Sequence, residues 1–316
     1  MKTALICGVR GQDGSLLARY LLGLGYRVVG TSRDAEVGSS MNLELLGIAD
    51  RIRTISMAPN DFQSVLEAVE GVAPDEIYYL AGQSSVGLSF TQPSETFQSL
   101  ALGTINLLEA VRFAGGRPRL FSACSGECFG NVVGEGASES TPFHPQSPYS
   151  MAKAAGYWAV ASYREAYGLF ACSGILFNHE SPLRPRGFVT AKIVDGARLI
   201  AGGEVHGLTL GRLDVIRDWG WAAEYVVPMH GMLQQERPDD FVIGTGVSSS
   251  LEDFVAGVFS RFDLDWRDHV VQDRSLFRPS ELMISRSDPR KAERVLGWRA
   301  TRTMAEVIDG LVADDL

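Results

Sequence analysis

Short apolar runs along the chain alternate with longer stretches in which apolar positions recur at helical spacing. The runs at residues 4–7, 27–30, 52–55, 76–80, 120–122 and 172–176 have the length of single strands and carry too few polar positions for a solvated face, so they read as buried strands. The longer stretches predict helices over 15–24, 61–69, 96–113 and 149–167, with Asp61 as an N-terminal cap and Gly168 as a stop. Strands alternating with helices indicate parallel pairing, because parallel neighbours are joined by crossovers. The expected fold is α/β, a Rossmann-type doubly wound parallel sheet. Beyond Pro182 the rhythm loosens. Pro182, Pro185 and Gly187 interrupt it, a helix over 191–200 ends at Gly202-Gly203, and 240–243 reads as a late strand. A smaller C-terminal substrate-binding region is expected there. The expected division is 1–180, completed by segments near 205–225 and 238–262, and 181–316 interleaved with it.

Composition narrows the partners. The 316 residues are 45% hydrophobic and 21% charged, as in an ordinary globular chain, and the net charge is −9. With that charge and no Lys/Arg run, a nucleic-acid backbone is not an expected partner. The first apolar run is too short for a signal peptide or a membrane span, so no membrane partner and a cytoplasmic location are expected. Cys7, Cys124, Cys128 and Cys172 lie in or beside apolar segments without Cys-x-x-Cys spacing, which predicts reduced, buried thiols and no metal site.

Strand one runs into Gly8-Val9-Arg10-Gly11-Gln12-Asp13-Gly14 and then into a helix. Glycines keep side chains out of the path of a pyrophosphate, and the N–H groups and dipole of the helix start favour an anion, so this turn predicts a dinucleotide. Two residues separate successive glycines, as in short-chain dehydrogenases. Strand two leads into Gly30-Thr31-Ser32-Arg33 and offers no acid there to grip the ribose hydroxyls of NAD. Arg33 and Arg10 instead suit a 2′-phosphate, which favours NADP, although Asp34 stands next door.

Tyr149 and Lys153 stand four residues apart on one predicted helix and share its face. An ammonium beside a phenol favours the phenolate, lowering a pKa that starts at about 10, and the oxygen then serves as a base for oxidising a hydroxyl. The segment Ser122-Ala123-Cys124-Ser125-Gly126-Glu127-Cys128 follows the fifth strand, at the sheet edge where the cofactor is expected. Ser125 can hold a substrate oxygen and Glu127 can move a proton. The same two residues fit a turn cap or a solvent-facing loop equally well.

Several stretches together resemble one family: Gly11-Gln12-Asp13-Gly14-Ser15, Leu80-Ala81-Gly82-Gln83-Ser84, Thr141-Pro142-Phe143, Ser147-Pro148-Tyr149, Asn178-His179-Glu180-Ser181-Pro182, Arg217-Asp218-Trp219-Gly220 and Phe277-Arg278-Pro279. Nearly end to end, the chain is similar to the GDP-mannose 4,6-dehydratases of the extended short-chain dehydrogenase/reductases. The resemblance implies that Ser125, Glu127, Tyr149 and Lys153 are catalytic. It implies that NADP lies against Gly8, Arg10, Gly11, Gln12, Asp13, Gly14, Arg33, Leu80, Ala81, Gln83, Tyr149, Lys153, Leu176, Asn178 and His179, with His179 a structural or cofactor-side group. It places a GDP-sugar against Ser84, Ser125, Glu127, Asn178, Val189, Lys192, Gly211, Arg217, Arg278 and Glu281, the cations facing the diphosphate and Glu281 a ribose hydroxyl. The implied reaction forms GDP-4-keto-6-deoxymannose by internal hydride transfer and loss of water. A reductase or epimerase on a 4-keto sugar, or a non-catalytic nucleotide-binding protein, are the alternatives. A homodimer or homotetramer is implied, with the helices over 96–113 and 149–167 packing across a two-fold axis. The chain departs from the family at Cys7, Arg10, Arg33-Asp34, residues 35–40, Met57-Ala58, Ser85 and Ala191, around the edges of the expected cofactor and substrate sites rather than at their centre.

Overall fold

The computed structural model describes residues 1–316. Its strands are β1 (Thr3–Cys7), β2 (Arg27–Ser32), β3 (Arg53–Ser56), β4 (Glu76–Tyr79), β5 (Arg119–Ser125), β6 (Ala171–Leu176), β7 (Asn178–Glu180), β8 (Leu208–Leu210), β9 (Ile216–Trp221), β10 (Phe241–Ile243), β11 (Ser248–Ser250) and β12 (Val270–Gln272). Seven of them form one parallel sheet in the order β10-β6-β5-β4-β1-β2-β3. The chain runs outward from β1 in one direction and then from β4 in the other, so the order reverses between β1 and β4. A crevice opens at such a reversal, beyond the carboxyl ends of the strands.

The helices are α1 (Gln12–Gly23), α2 (Met41–Leu45), α3 (Phe62–Val72), α4 (Val86–Ser89), α5 (Pro93–Phe97), α6 (Gly103–Phe113), α7 (Pro148–Tyr167), α8 (Val189–Ala201), α9 (Ala222–Leu233), α10 (Leu251–Ser260), α11 (Arg290–Leu296) and α12 (Met304–Val312). Alternation along β1 shows how both sheet faces are covered. Ala4 and Ile6 join a core with Leu17 and Leu21 of α1 and Met229 of α9. Leu5 and Cys7 join the opposite core with Val65 and Val69 of α3 and Leu107 and Val111 of α6. A third core gathers Ile193 of α8, Phe254 and Val258 of α10, Ile308 of α12 and Trp219 of β9. This unit is tied to the sheet through β7, which pairs with β9 beside β11, and through β10, which returns to the main sheet beside β6. No helix is long and apolar enough to cross a membrane.

The expected doubly wound sheet is present, and most boundaries agree within a few residues. Asp61 caps α3 by accepting from the Gln63 N–H, and Gly168 ends α7 at φ +66°. The helix expected over 96–113 differs. It starts earlier, at Pro93, and contains a π-helical turn, Gln98–Leu102, between α5 and α6. The Tyr79 hydroxyl donates to the Ser99 carbonyl at 2.5 Å and the Thr104 hydroxyl to the Leu100 carbonyl at 2.6 Å, side-chain intrusions of the kind that distort the helical ladder. The late strand begins at Phe241, one residue after the expected start. Asp240 instead receives both guanidinium NH groups of Arg164, at 3.0 and 2.7 Å, and the Ser173 N–H at 2.7 Å.

Candidate active site at the carboxyl ends of the strands

The turn after β1 is built for close approach. Gly8 adopts φ +87°, and a Cβ there would lie 3.0 Å from the Ala81 backbone; a Cβ on Gly14 would run into the Gly8 carbonyl. Glycine at both positions leaves bare backbone N–H groups at the start of α1, the cradle that a diphosphate needs. Thus the strand-turn-helix expectation for Gly8, Gly11 and Gly14 holds as geometry. Leu80 and Ala81 flank this turn at the end of β4, and the Leu80 N–H donates to the Cys7 carbonyl at 3.0 Å. Gln83 is occupied locally: its amide donates to the Ser85 carbonyl at 2.8 Å and its oxygen accepts from the Ser85 N–H. The side chain thereby shapes the loop that carries the exposed Ser84.

On the far side of the crevice, Arg10 is folded under residues 34–38. It donates to the Asp34 and Ala35 carbonyls at 2.9 and 2.7 Å and to the Ser32 hydroxyl at 3.3 Å. Arg33 is exposed and pairs with Glu95 at 3.4 Å. Asp34 turns its carboxylate onto its own loop, accepting from the Glu36 and Val37 N–H groups at 2.9 Å. Asp34, the acid just past β2, uses one carboxylate oxygen to hold its loop, and Arg10 and Arg33 do not converge on one another.

The proposed catalytic group is assembled by β5 and α7. Ser147 opens α7 with a capping box, exchanging hydrogen bonds with Ser150, and Pro148 occupies the first turn, so Tyr149 leaves the helix start toward the crevice. Ser125 caps the turn, its Oγ accepting from the Glu127 N–H at 3.2 Å, and its hydroxyl is a neighbour of the Tyr149 phenol that favours the phenolate. Lys153 sits on the same helix face with Nζ 5.9 Å from the centre of the Tyr149 ring and donates to the Ala123 carbonyl at 2.7 Å.

The expected acidity of the phenol is not reproduced by the protein's own groups. Burial pushes Tyr149 well above the usual tyrosine range, and the bond to Ser125 offsets only part of that. Burial also pulls the Lys153 ammonium below the usual lysine range. Neighbouring thiols and Glu127 add to the cost of a phenolate.

Glu127 lies in the same cleft. Burial raises its carboxyl above the ordinary glutamate range, while Arg217 and Arg278 draw it back down and Glu281 opposes them. Glu281 gathers the two arginines, accepting from each guanidinium at 3.2 Å. Arg217 is buried and also donates to the Ile216 carbonyl at 2.9 Å, whereas Arg278 is partly exposed. Lys192 reaches the Thr209 carbonyl at 2.7 Å, Val189 opens α8, and Gly211 passes close to the Leu276 carbonyl near Arg278. Leu176 and Asn178 stand at the junction of β6 and β7, beside the dinucleotide turn.

A family model described as GDP-mannose 4,6 dehydratase matches residues 5–311. The chain belongs to the GDP-mannose 4,6-dehydratase family. GDP-mannose 4,6 dehydratase 2 of Arabidopsis thaliana is 41% identical over all of this chain and 87% of its own length. GDP-mannose 4,6-dehydratase of Vibrio cholerae is 39% identical over all of this chain and 94% of its own. Among solved structures, Thermus thermophilus UDP-glucose 4-epimerase in complex with NAD superposes with a TM-score of 0.86 at 25% identity, covering 99% of this chain and 98% of that one. Pseudomonas aeruginosa RMD complexed with NADPH gives 0.83 at 20% identity over 99% and 98%. For this member of the GDP-mannose 4,6-dehydratase family, the geometry adds residues that the sequence reading passed over. Arg184 is half-buried and pairs with the buried Glu180 at 2.9 Å, and Thr190 donates to the same carboxylate at 2.6 Å. The signal was a charge amid prolines, with Glu180 four residues upstream but no helix to make that spacing meaningful. Ser181 donates to the Gln12 side-chain carbonyl at 2.9 Å, linking the Asn-His-Glu-Ser segment to the turn after β1.

Proposed function

We propose that this chain converts GDP-mannose to GDP-4-keto-6-deoxymannose with NADP as a cofactor restored in every turnover, acting in the cytoplasm as a homodimer or homotetramer. The observation that carries the reading is one cleft holding Glu127 beside Ser125 and Tyr149 and, on its other wall, Arg217 and Arg278. A plain alcohol dehydrogenase has no use for the glutamate, and a sugar without phosphates has none for the arginines. The glycine turn fits a dinucleotide because side chains there would fill the space. Gly8, Gly11, Gly14, Leu80 and Ala81 would hold it, with Arg10 and Arg33 toward a 2′-phosphate. When bound, the oxidised cofactor accepts a hydride and returns it, and its pyridinium charge favours the Tyr149 phenolate that burial disfavours.

The remaining work falls to the chain's own side chains. Tyr149 removes the O4 proton, Ser125 holds O4, and Lys153 supplies the neighbouring cation. Oxidation at C4 acidifies C5–H, and Glu127 takes that proton. Protonation of the departing C6 hydroxyl, from Glu127 or Ser125, releases water and leaves an enone that takes the returned hydride at C6 and a proton at C5, the proton removed from O4 closing the balance. Arg217 and Arg278 bind the diphosphate by charge-assisted hydrogen bonds. Residues 1–180, completed by segments near 205–225 and 238–262, form the cofactor part, and 181–316 the nucleotide-sugar part. Exposed apolar residues Leu102, Ile105 and Phe113 on one helix and Met151, Trp158 and Tyr167 on the other support a two-fold interface through α6 and α7.

Incubating the purified protein with GDP-mannose, without added reductant, should yield a product lighter by one water with no net change in NADPH absorbance. Stoichiometric NADPH consumption with a 4-keto sugar substrate, and none of that product from GDP-mannose, would replace this reading with the reductase.

A further inference from the structure

His179 is held between two acceptors. Nδ1 lies 2.6 Å from the Phe177 carbonyl and Nε2 lies 3.0 Å from the Asp13 carboxylate, while the ring stacks on Tyr225 at 4.6 Å between centres. A carbonyl oxygen cannot donate, so Nδ1 carries hydrogen. The contact with Asp13 then needs a second proton, because a bare Nε2 lone pair facing a carboxylate is repulsive. The other Asp13 oxygen accepts from the Gln12 amide at 2.9 Å, and that amide also reaches the His179 carbonyl at 3.2 Å. Asp13 is the second residue of α1, beside the bare N–H groups after β1.

We infer that His179 is a standing imidazolium whose charge cancels Asp13 and latches the cofactor turn to the Asn178 segment, making it a positioning residue for dinucleotide binding. The inference rests on the reading that this turn holds a dinucleotide. Its logic is a charge count. Facing His179 are Asp13 from α1, Arg184 from the segment after β7 and Tyr225 from α9; Glu180 pairs with Arg184, and Lys153 and Tyr149 of α7 face Asp13 and Arg184 in turn. With His179 charged, two cations balance two anions in the quartet His179, Arg184, Asp13 and Glu180. Without that proton, Asp13 loses the cation in direct contact with it and is offset only by the more distant Lys153 and Arg184, where a diphosphate has to settle. The protonation balance agrees: burial opposes charge on both partners, yet their mutual attraction holds Asp13 down at about 2 and lifts His179 above the ordinary histidine range.

The test reads the proton and the affinity separately. In protein labelled with ¹⁵N-histidine, one of the five histidines should show both ring nitrogens protonated near neutral pH, and that signal should vanish in His179→Gln. NADPH fluorescence titrations should show wild-type affinity constant from pH 6 to 8, about tenfold weaker binding in His179→Gln, and in Asp13→Asn an alkaline loss of affinity whose midpoint moves down by about one pH unit or more, since an opposite charge at this distance shifts a pKa by that much. A neutral tautomer at His179 in the folded wild-type protein overturns the inference, as does an unchanged pH profile in Asp13→Asn. If wild-type protein binds no dinucleotide at any pH, the dinucleotide reading fails instead, and the ring-nitrogen spectrum still decides the charge of His179.

Discussion

The two ends of the crevice treat charge in opposite ways. At the β5 and α7 end, Glu127, Tyr149, Lys153 and Arg217 are buried or cleft-facing, and burial is the leading influence on each of them, moving all four away from their ordinary ranges. At the β2 end, Arg10 and Asp34 spend their charge on backbone groups of one loop, and Arg33 lies in solvent. Desolvated groups interact strongly and set chemistry, whereas exposed groups hold shape and are screened. Of the departures from the family, Arg10, Arg33-Asp34 and residues 35–40 fall at the second end, so specificity has room to drift there while the reaction is kept.

The largest effects are expected where the groups are desolvated. Tyr149→Phe and Glu127→Gln should each lower kcat by roughly a hundredfold to ten-thousandfold, the usual worth of a positioned acid or base, with GDP-mannose binding retained in calorimetry. Turnover of either variant at the wild-type rate would remove it from the proton-transfer scheme. Next in size, Arg278→Ala should weaken GDP binding by about 1.5–3 kcal/mol, the range for hydrogen bonds to charged groups. It carries a second signature. Because the Arg278 charge draws Glu127 down, its removal should raise the carboxyl further, and the acid limb of kcat should move to higher pH. Unchanged GDP affinity would place Arg278 outside the pocket, and an acid limb moving the other way would break its coupling to Glu127.

The comparison also explains what could be read from the sequence. The sheet was legible because each strand alternates between two apolar faces and each crossover has helical period; Ala4 and Ile6 against Leu5 and Cys7 is that pattern realised. The turn after β1, Tyr149 with Lys153, and Ser125 with Glu127 were legible because spacing along one element fixes geometry. The direction of the Tyr149 shift was not, since it depends on how deeply Phe97, Leu100 and Ala152 pack around the ring, which no local spacing encodes. Arg184, Glu180 and the His179 contact with Asp13 were hidden because they join segments more than 160 residues apart or lie in irregular chain. The π turn was hidden because its cause, Tyr79, comes from a neighbouring strand.

At the β2 end the expected effects are smaller and fall on cofactor choice. Arg10→Thr should reduce the preference for NADP over NAD by about tenfold, as loss of a charge-assisted contact worth roughly 1.5 kcal/mol predicts, leaving kcat at saturating cofactor unchanged. Equal losses for NADP and NAD would show that Arg10 only props the loop.

Asp34→Ala is the finest of these probes, because one carboxylate oxygen of Asp34 holds the shape of the loop over residues 34–38. Removing it frees the Glu36 and Val37 N–H groups to solvent, which replaces the lost bonds. The Asp34 and Ala35 carbonyls that hold Arg10 then become less ordered. NADP affinity should fall by no more than about fivefold, the scale of a screened surface contact, with turnover at saturation unaffected. If Asp34 instead gripped an adenosine ribose, as an acid after the second strand does in NAD enzymes, its removal would weaken NAD more than NADP. Parallel titrations of both dinucleotides against this one variant therefore separate a loop staple from a ribose clamp.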